Sequence, residues 1–542
     1  MADTYDSSPG AGRGVALDDN GIPFTIGAAV ALASERFGDT EALVGAAHRW
    51  TYAELDAEVD SVSGAIIAAG IEHGDRAAIW APNSPEWIVL ALALARTGAV
   101  LVPLNTRFKG TEAADILRRS GARALFTVTE FLGTDYVALL GAAGGSDALA
   151  ETVVISGPPA AGTVGWAAWR ARAADVDPAT VAARAAAVGP DDLSDLLFTS
   201  GTTGAPKGAM LRHWASTRGY QAWADVVGLR HGDRYLIVNP LSHSFGLKAG
   251  ILTSVLTGAT IIPQAVLDVD RVVELIEAER ITTLPGPPTL FQTILDHPRR
   301  ATHDTSTLRL AVTGAATVPA QLIRRMRTEL SFSTVLTGYG LTESTGIATM
   351  CRHDDDADTV SSTAGRAIPG VEVIVADDTG VACPEGEPGE VLIRGYNVMA
   401  GYWDDPEATA ATISEDGWLH TGDVGVLDGR GYLHITDRKK DMFIVGGFNA
   451  YPAEIEALIA RHRAVGQVAV VGVPDERMGE VGMAWVVPVA GATVVPEELI
   501  AWCRTEMANY KVPRHVAVVD ALPTNAGGKI VKHELRQRAA GR

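Results

Sequence analysis

Between two short apolar runs, Leu196-Leu197-Phe198 and Ala209-Met210-Leu211, the chain places Thr199-Ser200-Gly201-Thr202-Thr203-Gly204-Ala205-Pro206-Lys207-Gly208. Three-residue apolar runs bounded by glycine and hydroxyl residues predict strand, loop, strand. Glycine lets successive backbone amides turn toward one point, so the loop can surround a phosphate with N–H groups and hydroxyls, and Lys207 adds a point charge. That is a cradle for a nucleoside triphosphate. It is not a Walker A loop, which ends in Gly-Lys-Ser/Thr; here Lys207 stands between Pro206 and Gly208. No helix start follows, so the phosphates would meet hairpin backbone rather than a helix N-terminus. Composition alone would also suit a mobile surface turn, and the rest of the chain has to decide.

At 542 residues the chain is too long for one core, and its 47% hydrophobic and 20% charged residues describe a globular protein of two or more domains. A net charge of −20 argues against nucleic acid or an anionic membrane as the main partner. Cys351, Cys383 and Cys503 lie far apart, which excludes a disulfide framework or a Cys-rich metal site and fits a reducing compartment. The start Met-Ala-Asp-Thr-Tyr-Asp has no signal-peptide pattern, and the apolar run from Trp87 to Ala95 is closed by Arg96, too short to span a bilayer. A cytoplasmic protein is expected.

Residues 1–22 read as a disordered tail, rich in Gly, Ser, Asp and Ala. From Pro23 to about Leu140 helices alternate with strands. Thr51 and Glu54 form a capping box, Arg76–Trp80 reads as a buried strand, Pro85 starts a helix through Arg96, and a strand runs from Gly98 to Leu104. This alternation predicts a parallel sheet covered by helices. Residues 141–190 read as peripheral helices and loop. A second series runs through strand Tyr235–Asn239, strand Ala259–Pro263, helix Asp270–Glu279, strand Ile281–Leu284, and strands Leu308–Val312 and Thr334–Thr337. After Ala364, short strands such as Val371–Val375 and Glu390–Arg394 predict a smaller β-rich subdomain ending near Ile435.

The charge balance then changes. Residues 438–542 hold 14 Lys/Arg and 11 Asp/Glu, a net +3, which leaves −23 on the first 437. The five charged residues Asp437-Arg438-Lys439-Lys440-Asp441 mark this boundary and read as a hinge. The expected fold class is therefore α/β: a large N-terminal domain of βα-layered sheets with a β-rich subdomain (23–436), a hinge (437–441) and a small α+β C-terminal domain (442–542).

Several further strings carry chemistry. Gly338-Tyr339-Gly340-Leu341-Thr342-Glu343-Ser344 sets a hydroxyl and a carboxylate at a strand end, which suits Mg2+ beside phosphates, since that ion takes few protein oxygens. Gly314-Ala315-Ala316 ends another strand with side chains too small to block a flat ring; a tight turn would look the same. Thr421-Gly422-Asp423 offers a carboxylate for vicinal hydroxyls, or an Asx turn. Gly446-Gly447 precedes a helix, and Pro523-Thr524-Asn525-Ala526-Gly527-Gly528-Lys529 presents one lysine on a flexible turn.

In their order and spacing these strings resemble the adenylate-forming superfamily, from about residue 25 to 535. The resemblance implies a large N-terminal domain and a small mobile C-terminal domain with the active site between them. It implies ATP, Mg2+ and coenzyme A as ligands. Thr199, Ser200, Gly201, Thr202, Thr203, Gly204 and Lys207 would wrap the β- and γ-phosphates, while Thr342 and Glu343 would serve the metal and the α-phosphate. Gly314, Ala315 and Ala316 would line the adenine site, with Tyr339 and Gly340 also against the nucleotide. Asp423 and Arg438 would hold the ribose, and Lys440 would be the pivot. Lys529 would bridge the substrate carboxylate and the α-phosphate, and Gly446 and Gly447 would approach the thiol acceptor.

In Pro240-Leu241-Ser242-His243-Ser244-Phe245-Gly246-Leu247-Lys248-Ala249-Gly250, the resemblance makes His243 the gate of the acyl pocket. Lys248, charged within an apolar stretch, reads either as a surface or salt-bridged lysine or as a group recognising a second polar function on the substrate. Phe245–Gly250 and Pro285–Gln292 are similar to actinobacterial acyl-CoA ligases for cyclic acids of steroid ring breakdown. The expectation is an AMP-forming acyl-CoA ligase for a bulky alicyclic or aromatic acid. Its alternatives are adenylation for another acceptor or oxyanion (a carrier protein, or nitrite for diazotising an arylamine) and a non-catalytic nucleotide-binding protein. Nucleic acid and membrane are not expected partners; a homodimer is compatible with the sequence.

Overall fold

The computed structural model describes residues 15–145, 148–199, 206–314, 318–377, 379–438, 441–445, 448–450, 452–475, 478–507, 509–525 and 530–540. Contacts divide the chain into two units, residues 1–371 with 394–419, and residues 372–393 with 420–542.

The first unit is built on two sheets. The larger has eight strands in the order Gly401–Tyr402, Lys207–Arg212, Leu193–Thr199, Val100–Pro103, Arg76–Trp80, Ala124–Val128, Glu151–Ser156, Val164–Gly165. Its centre is parallel, and Leu193–Thr199, Lys207–Arg212 and Gly401–Tyr402 join it antiparallel. The last two strands of the order overturn the reading of 141–190 as helices and loop alone. Thr152-Val153-Val154-Ile155 is β-branched, but its Ala/Gly-rich surroundings hide so short a run.

The second sheet runs Arg234–Ile237, Thr260–Pro263, Glu41–Val44, Arg49–Thr51, and Thr283 bridges Tyr235 to Leu310 in the parallel pair Leu310–Val312 and Thr334–Leu336. The expected strand Ile281–Leu284 is thus a single bridging residue. A small sheet of Gly338–Tyr339, Thr349–Met350 and Arg366–Ala367 follows.

Helices cover these sheets where the sequence caps them. Thr51 and Glu54 close a capping box on Tyr52–Ala68, worth about 1 kcal/mol. Ser84 accepts from the Trp87 N–H at the start of Pro85–Thr97, whose residues Trp87 to Thr97 are all buried. Burial includes Arg96, whose guanidinium reaches Asp56 at 2.5 Å and Asp60 at 2.6 Å. Arg96 therefore does not end the apolar helix at solvent. Residues 15–22, read as tail, form a turn in which Asp18 accepts from the Asn20 and Ile22 N–H groups.

The second unit holds a four-stranded sheet, Val371–Ala376, Gly389–Gly395, Leu419–Leu427, Leu433–Arg438, and a five-stranded one. In the latter the long hairpin Val465–Asp475 and Gly479–Pro488 is flanked by Phe443–Val445, Phe448–Ala450 and His515–Val518. Helices Pro452–Ile459 and Pro496–Glu506 bury Ile455, Ile459, Leu499 and Cys503 against it. Among the described residues no helix is long and apolar enough to cross a membrane.

Candidate active site

The two apolar runs that flank the phosphate-loop string lie on paired antiparallel strands, Leu193–Thr199 and Lys207–Arg212, as expected. Thr199 pairs with Lys207 at the end of this ladder, and the Thr199 hydroxyl donates to the Lys207 carbonyl at 3.3 Å. Gly208 packs closely here: a Cβ would stand 2.9 Å from Leu196 Cδ1 and 3.1 Å from the Phe198 ring, so both side chains would have to shift. Ser200, Gly201, Thr202, Thr203 and Gly204 lie outside the described residues, as do Ala315, Ala316, Lys440, Gly446, Gly447 and Lys529.

Residues far along the chain brace this hairpin. Gly401–Tyr402 pairs with Ala209–Met210, and the Trp403 N–H donates to the Gly208 carbonyl at 2.8 Å. Arg119, at the end of helix Gly110–Ser120, donates to the Pro206 carbonyl and lies 5.7 Å over the Phe198 ring. The Arg119 carbonyl accepts from the Trp403 indole at 3.2 Å.

Tyr402 connects the hairpin to the Thr-Glu string. Its ring lies 5.1 Å from Lys207 Nζ, and its hydroxyl donates to Glu343 Oε1 at 2.8 Å. Burial, and then the neighbouring carboxylate, push the phenol well above its ordinary pKa, which keeps it a proton donor. Glu343 sits in a single 3₁₀ turn, Thr342–Ser344, held by the Leu341 N–H to Ser344 Oγ bond of 2.9 Å and by the Met399 N–H donating to the Glu343 carbonyl at 2.8 Å. Asn397 donates to the Ile347 carbonyl at 2.6 Å, and Thr345 Oγ1 to the Asn397 carbonyl at 2.7 Å. Residues 397–403 thus clamp both the turn and the hairpin. Sequence reading missed them. Gly395-Tyr396-Asn397 and Gly401-Tyr402-Trp403 repeat a Gly-aromatic pattern, the one signal available.

Gly340 approaches the backbone of Ile347 so closely that a Cβ would lie 2.5 Å from its N and Cα atoms. Gly346, at φ +91°, brings the turn against Ser244 and the Tyr220 hydroxyl, so the Thr-Glu string meets the His243 segment. His243 Nε2 lies 3.1 Å from the Asn105 amide, and burial, then Arg107, hold its pKa below the usual imidazole value. At pH 7 it is neutral, as a positioning or gating group buried near substrate can be. Gly314 ends its strand beside Thr337 and the Gly338 carbonyl, where Tyr339 follows, so the small-residue turn and the Gly-Tyr-Gly strand adjoin. The hydroxyls of Ser244 and Thr313 are buried without a hydrogen-bond partner among the described residues.

Lys248 corrects one expectation. It is 1% exposed, its Nζ 3.0 Å from Asp195 Oδ2 and 2.7 Å from Ser216 Oγ. It is the salt-bridged lysine, but a core one, and its ammonium faces Asp195 and Ser216 within the fold.

In the second unit Asp423 and Arg438 are cross-strand partners in Leu419–Leu427 and Leu433–Arg438, fifteen residues apart in sequence but opposite in register. Asp423 is 4% exposed, and its N–H donates to Thr421 Oγ1 at 3.1 Å. The Thr421 hydroxyl thus takes part in the local turn geometry.

A metal can be tested on donor chemistry. Glu343 and Thr342 offer one carboxylate and one hydroxyl beside the phosphate hairpin, which fits Mg2+ completing its shell with phosphate oxygens and water. Among the described residues no group of three or more His, Cys, Asp or Glu could hold an ion unaided.

Residues 30–403 match the AMP-binding enzyme family, and residues 454–529 match the AMP-binding enzyme C-terminal domain. The chain is 49% identical over 520 residues to a 3-[(3aS,4S,7aS)-7a-methyl-1,5-dioxo-octahydro-1H-inden-4-yl]propanoyl:CoA ligase of Rhodococcus jostii, covering 95% of this chain and 99% of that one. It is 50% identical over 513 residues to the ligase of the same name from Mycobacterium tuberculosis, covering 95% and 98%. Its fold is similar to the ATP-bound crystal structure of MatB from Rhodopseudomonas palustris, with a TM-score of 0.82 at 32% identity over 95% of this chain and 99% of that one.

Proposed function

The chain belongs to the AMP-binding enzymes, and on that premise we propose that it joins a bulky alicyclic or aromatic carboxylic acid to coenzyme A through an acyl-adenylate. The observation that carries the reading is the linkage of Lys207 to Glu343 through Tyr402, in a chain about half identical to two CoA ligases named for a cyclic propanoate.

The carboxylate attacks the α-phosphorus of ATP, a P–O bond forms, and the bond to pyrophosphate breaks. A thiolate then attacks the acyl carbon and AMP leaves. No covalent enzyme intermediate is required, so the protein aligns the reactants and neutralises charge. Lys207 serves the phosphate charge beside the loop from Thr199 to Gly204. Gly314 with Ala315 and Ala316, and Tyr339 with Gly340, accommodate adenine. Asp423 and Arg438 take the ribose, and Lys529 bridges the acid and the α-phosphate. Glu343 and Thr342 hold Mg2+, which supplies charge neutralisation on the phosphates when bound. His243 gates the acid, and the buried Ser244 and Thr313 hydroxyls offer it and the nucleotide hydrogen bonds. Rotation about Lys440 exchanges Lys529 for Gly446 and Gly447 at the site of thiol attack. ATP and coenzyme A are cytoplasmic metabolites, and that is where we place the enzyme.

The test is ATP–pyrophosphate exchange across aryl, alicyclic and linear acids with nitrite included, followed by addition of coenzyme A. Exchange with a cyclic acid that coenzyme A converts to thioester is expected. Exchange with nitrite alone, or with an acid that coenzyme A cannot turn over, overturns the assigned acceptor. Lys529→Ala should abolish exchange yet leave thioester formation from synthetic acyl-adenylate nearly intact; equal loss in both assays removes Lys529 from the adenylation step.

A further inference from the structure

The segment that carries His243 does not continue as an ordinary helix. Ser244–Gly246 is one α-turn, Leu247–Leu252 is π-helical with the Thr253 N–H bonded to the Lys248 carbonyl, and Thr253–Thr257 is α again. A π-turn holds one residue more than an α-turn would, and such insertions persist where something outside the helix fixes them.

Here that outside contact is ionic. Asp195 Oδ2 takes Lys248 Nζ at 3.0 Å and the Ser194 hydroxyl at 2.6 Å. Ser216 Oγ accepts from the same ammonium at 2.7 Å and donates to the Arg212 carbonyl at 3.0 Å. One lysine therefore ties the π-turn to the strand that ends at Thr199 and to the helix that begins at His213. Both charged side chains are all but sealed from solvent, at 1% and 2% exposure. Apolar residues of the same size usually hold a core at least as well as a buried ion pair, whose best-attested use is to specify register.

Packing beside the π-turn is close but leaves one gap at the lysine. A cavity of about 20 Å³ borders Leu247, Lys248 and Ile251 on one side and Ala91 and Leu101 on the other. That is the room of about one water molecule, so the turn's packing leaves a small gap beside the lysine. A one-residue change rotates a helical segment by roughly 100° and would carry Ser244 off the Gly346 turn and His243 off Asn105.

We propose that Lys248 is a positioning residue for acid selection: through Asp195 and Ser216 it holds the Leu247–Leu252 π-turn in the register that sets His243 and Ser244 at the acid site. This rests on the ligase reading above. Lys248 does not touch the acid. Its effect reaches the acid through His243 and Ser244, and the nucleotide side is left alone.

The test uses the full-length protein, Lys248→Met/Asp195→Asn to remove both charges together, and Ser216→Ala to loosen the ammonium without stranding a charge. KM for acid, KM for ATP and thermal midpoint are measured by pyrophosphate exchange and by unfolding. The double variant should raise the KM of the preferred cyclic acid about tenfold and lower its selectivity over a short linear acid by a similar factor, with ATP KM within about twofold. Ser216→Ala should move the acid KM about threefold in the same direction at near-native thermal midpoint. Acid KM and selectivity within about twofold of wild type in both variants overturns the proposal. So does parallel loss for acid and ATP together with a lowered midpoint, which is a structural role only. If the double variant does not fold, Ser216→Ala decides alone. A wild type that exchanges with no carboxylic acid overturns the ligase reading and this proposal with it; an active wild type with indifferent variants overturns this proposal only.

Discussion

The hydroxyl of Tyr402 donates to Glu343 Oε1 at 2.8 Å while its ring lies 5.1 Å from Lys207 Nζ. A single side chain thus orients the carboxylate assigned to the metal and flanks the lysine assigned to the phosphates. The two come from separate parts of the chain and share no element. Tyr402 can do this because Gly401–Tyr402 adds a two-residue edge to the Lys207–Arg212 strand. Its raised pKa, from burial and then from Glu343, keeps the proton on the phenol at any pH where the enzyme would work.

Replacing Tyr402 by Phe keeps the ring beside Lys207 and deletes only the bond to Glu343. A hydrogen bond to a charged group is worth about 1.5–3 kcal/mol, so kcat/KM for pyrophosphate exchange should fall roughly tenfold or more. Half-saturating Mg2+ should rise, because Glu343 loses its orienting donor. Magnesium titrations of exchange check this. An unchanged magnesium dependence would show that Tyr402 braces the hairpin alone.

Arg119 anchors the same limb of the hairpin from its start, through the Pro206 carbonyl next to the lysine assigned to the phosphates. Arg119→Ala should raise KM for ATP about fivefold and leave KM for the acid near wild type. Arg119→Lys should recover little, since one ammonium cannot both reach Pro206 and spread over the Phe198 face. Equal changes for both substrates would assign Arg119 to general stability.

Much of the first unit was legible from local pattern. The Thr51–Glu54 capping box, the buried strand Arg76–Trp80 and the hairpin around Thr199–Lys207 each state themselves within a few residues. What escaped depends on pairing at a distance. Tyr402 lies 59 residues beyond Glu343 in a strand too short to show a period, and Asn397 works through backbone carbonyls that leave no mark on composition. Lys248 looked like a candidate substrate contact because Asp195, 53 residues earlier, gives no sign in Leu193-Ser194-Asp195-Leu196-Leu197 that its carboxylate points into a core. Glu151–Ser156 failed for another reason: a short strand beside Ala- and Gly-rich sequence has neither length nor alternation to identify it.

Gly340→Ala puts a methyl 2.5 Å from the Ile347 N and Cα atoms, and backbone cannot rotate aside as a side chain can. The Thr342–Ser344 turn must shift, and a shift near 1 Å at a reacting centre can cost about a hundredfold in rate. Exchange activity should fall on that scale, with a loss of about 1–3 kcal/mol in stability. Gly141→Ala is the control. It meets nothing within 4 Å near the end of helix Tyr136–Ala142, and Ala in a helix should stabilise by about 0.5–1 kcal/mol. Thermal midpoints that move in opposite directions, with activity lost only in Gly340→Ala, are the expected result.

His213, fully buried at the start of helix His213–Val227, gives the fold a defined acid limit. Its Nδ1 accepts from the Ile26 N–H at 3.3 Å, and burial, opposed by Asp192, pulls its pKa down to about 3. An unfolded histidine takes a proton below about 6.5, so between there and about 3 the unfolded chain binds the extra proton. Stability from this residue is complete above about pH 6.5 and is lost as pH falls toward 3, on the order of 5 kcal/mol in all. His213→Asn can still accept from Ile26 through its amide oxygen but cannot be protonated. Its urea midpoint should sit below wild type at pH 7.5, where the imidazole packs better, and the gap should narrow or reverse by pH 4.5. The carboxylates titrate alike in both proteins, so the difference between the two curves isolates the imidazole. Parallel curves from pH 7.5 to 4.5 would show that His213 takes up its proton without unfolding.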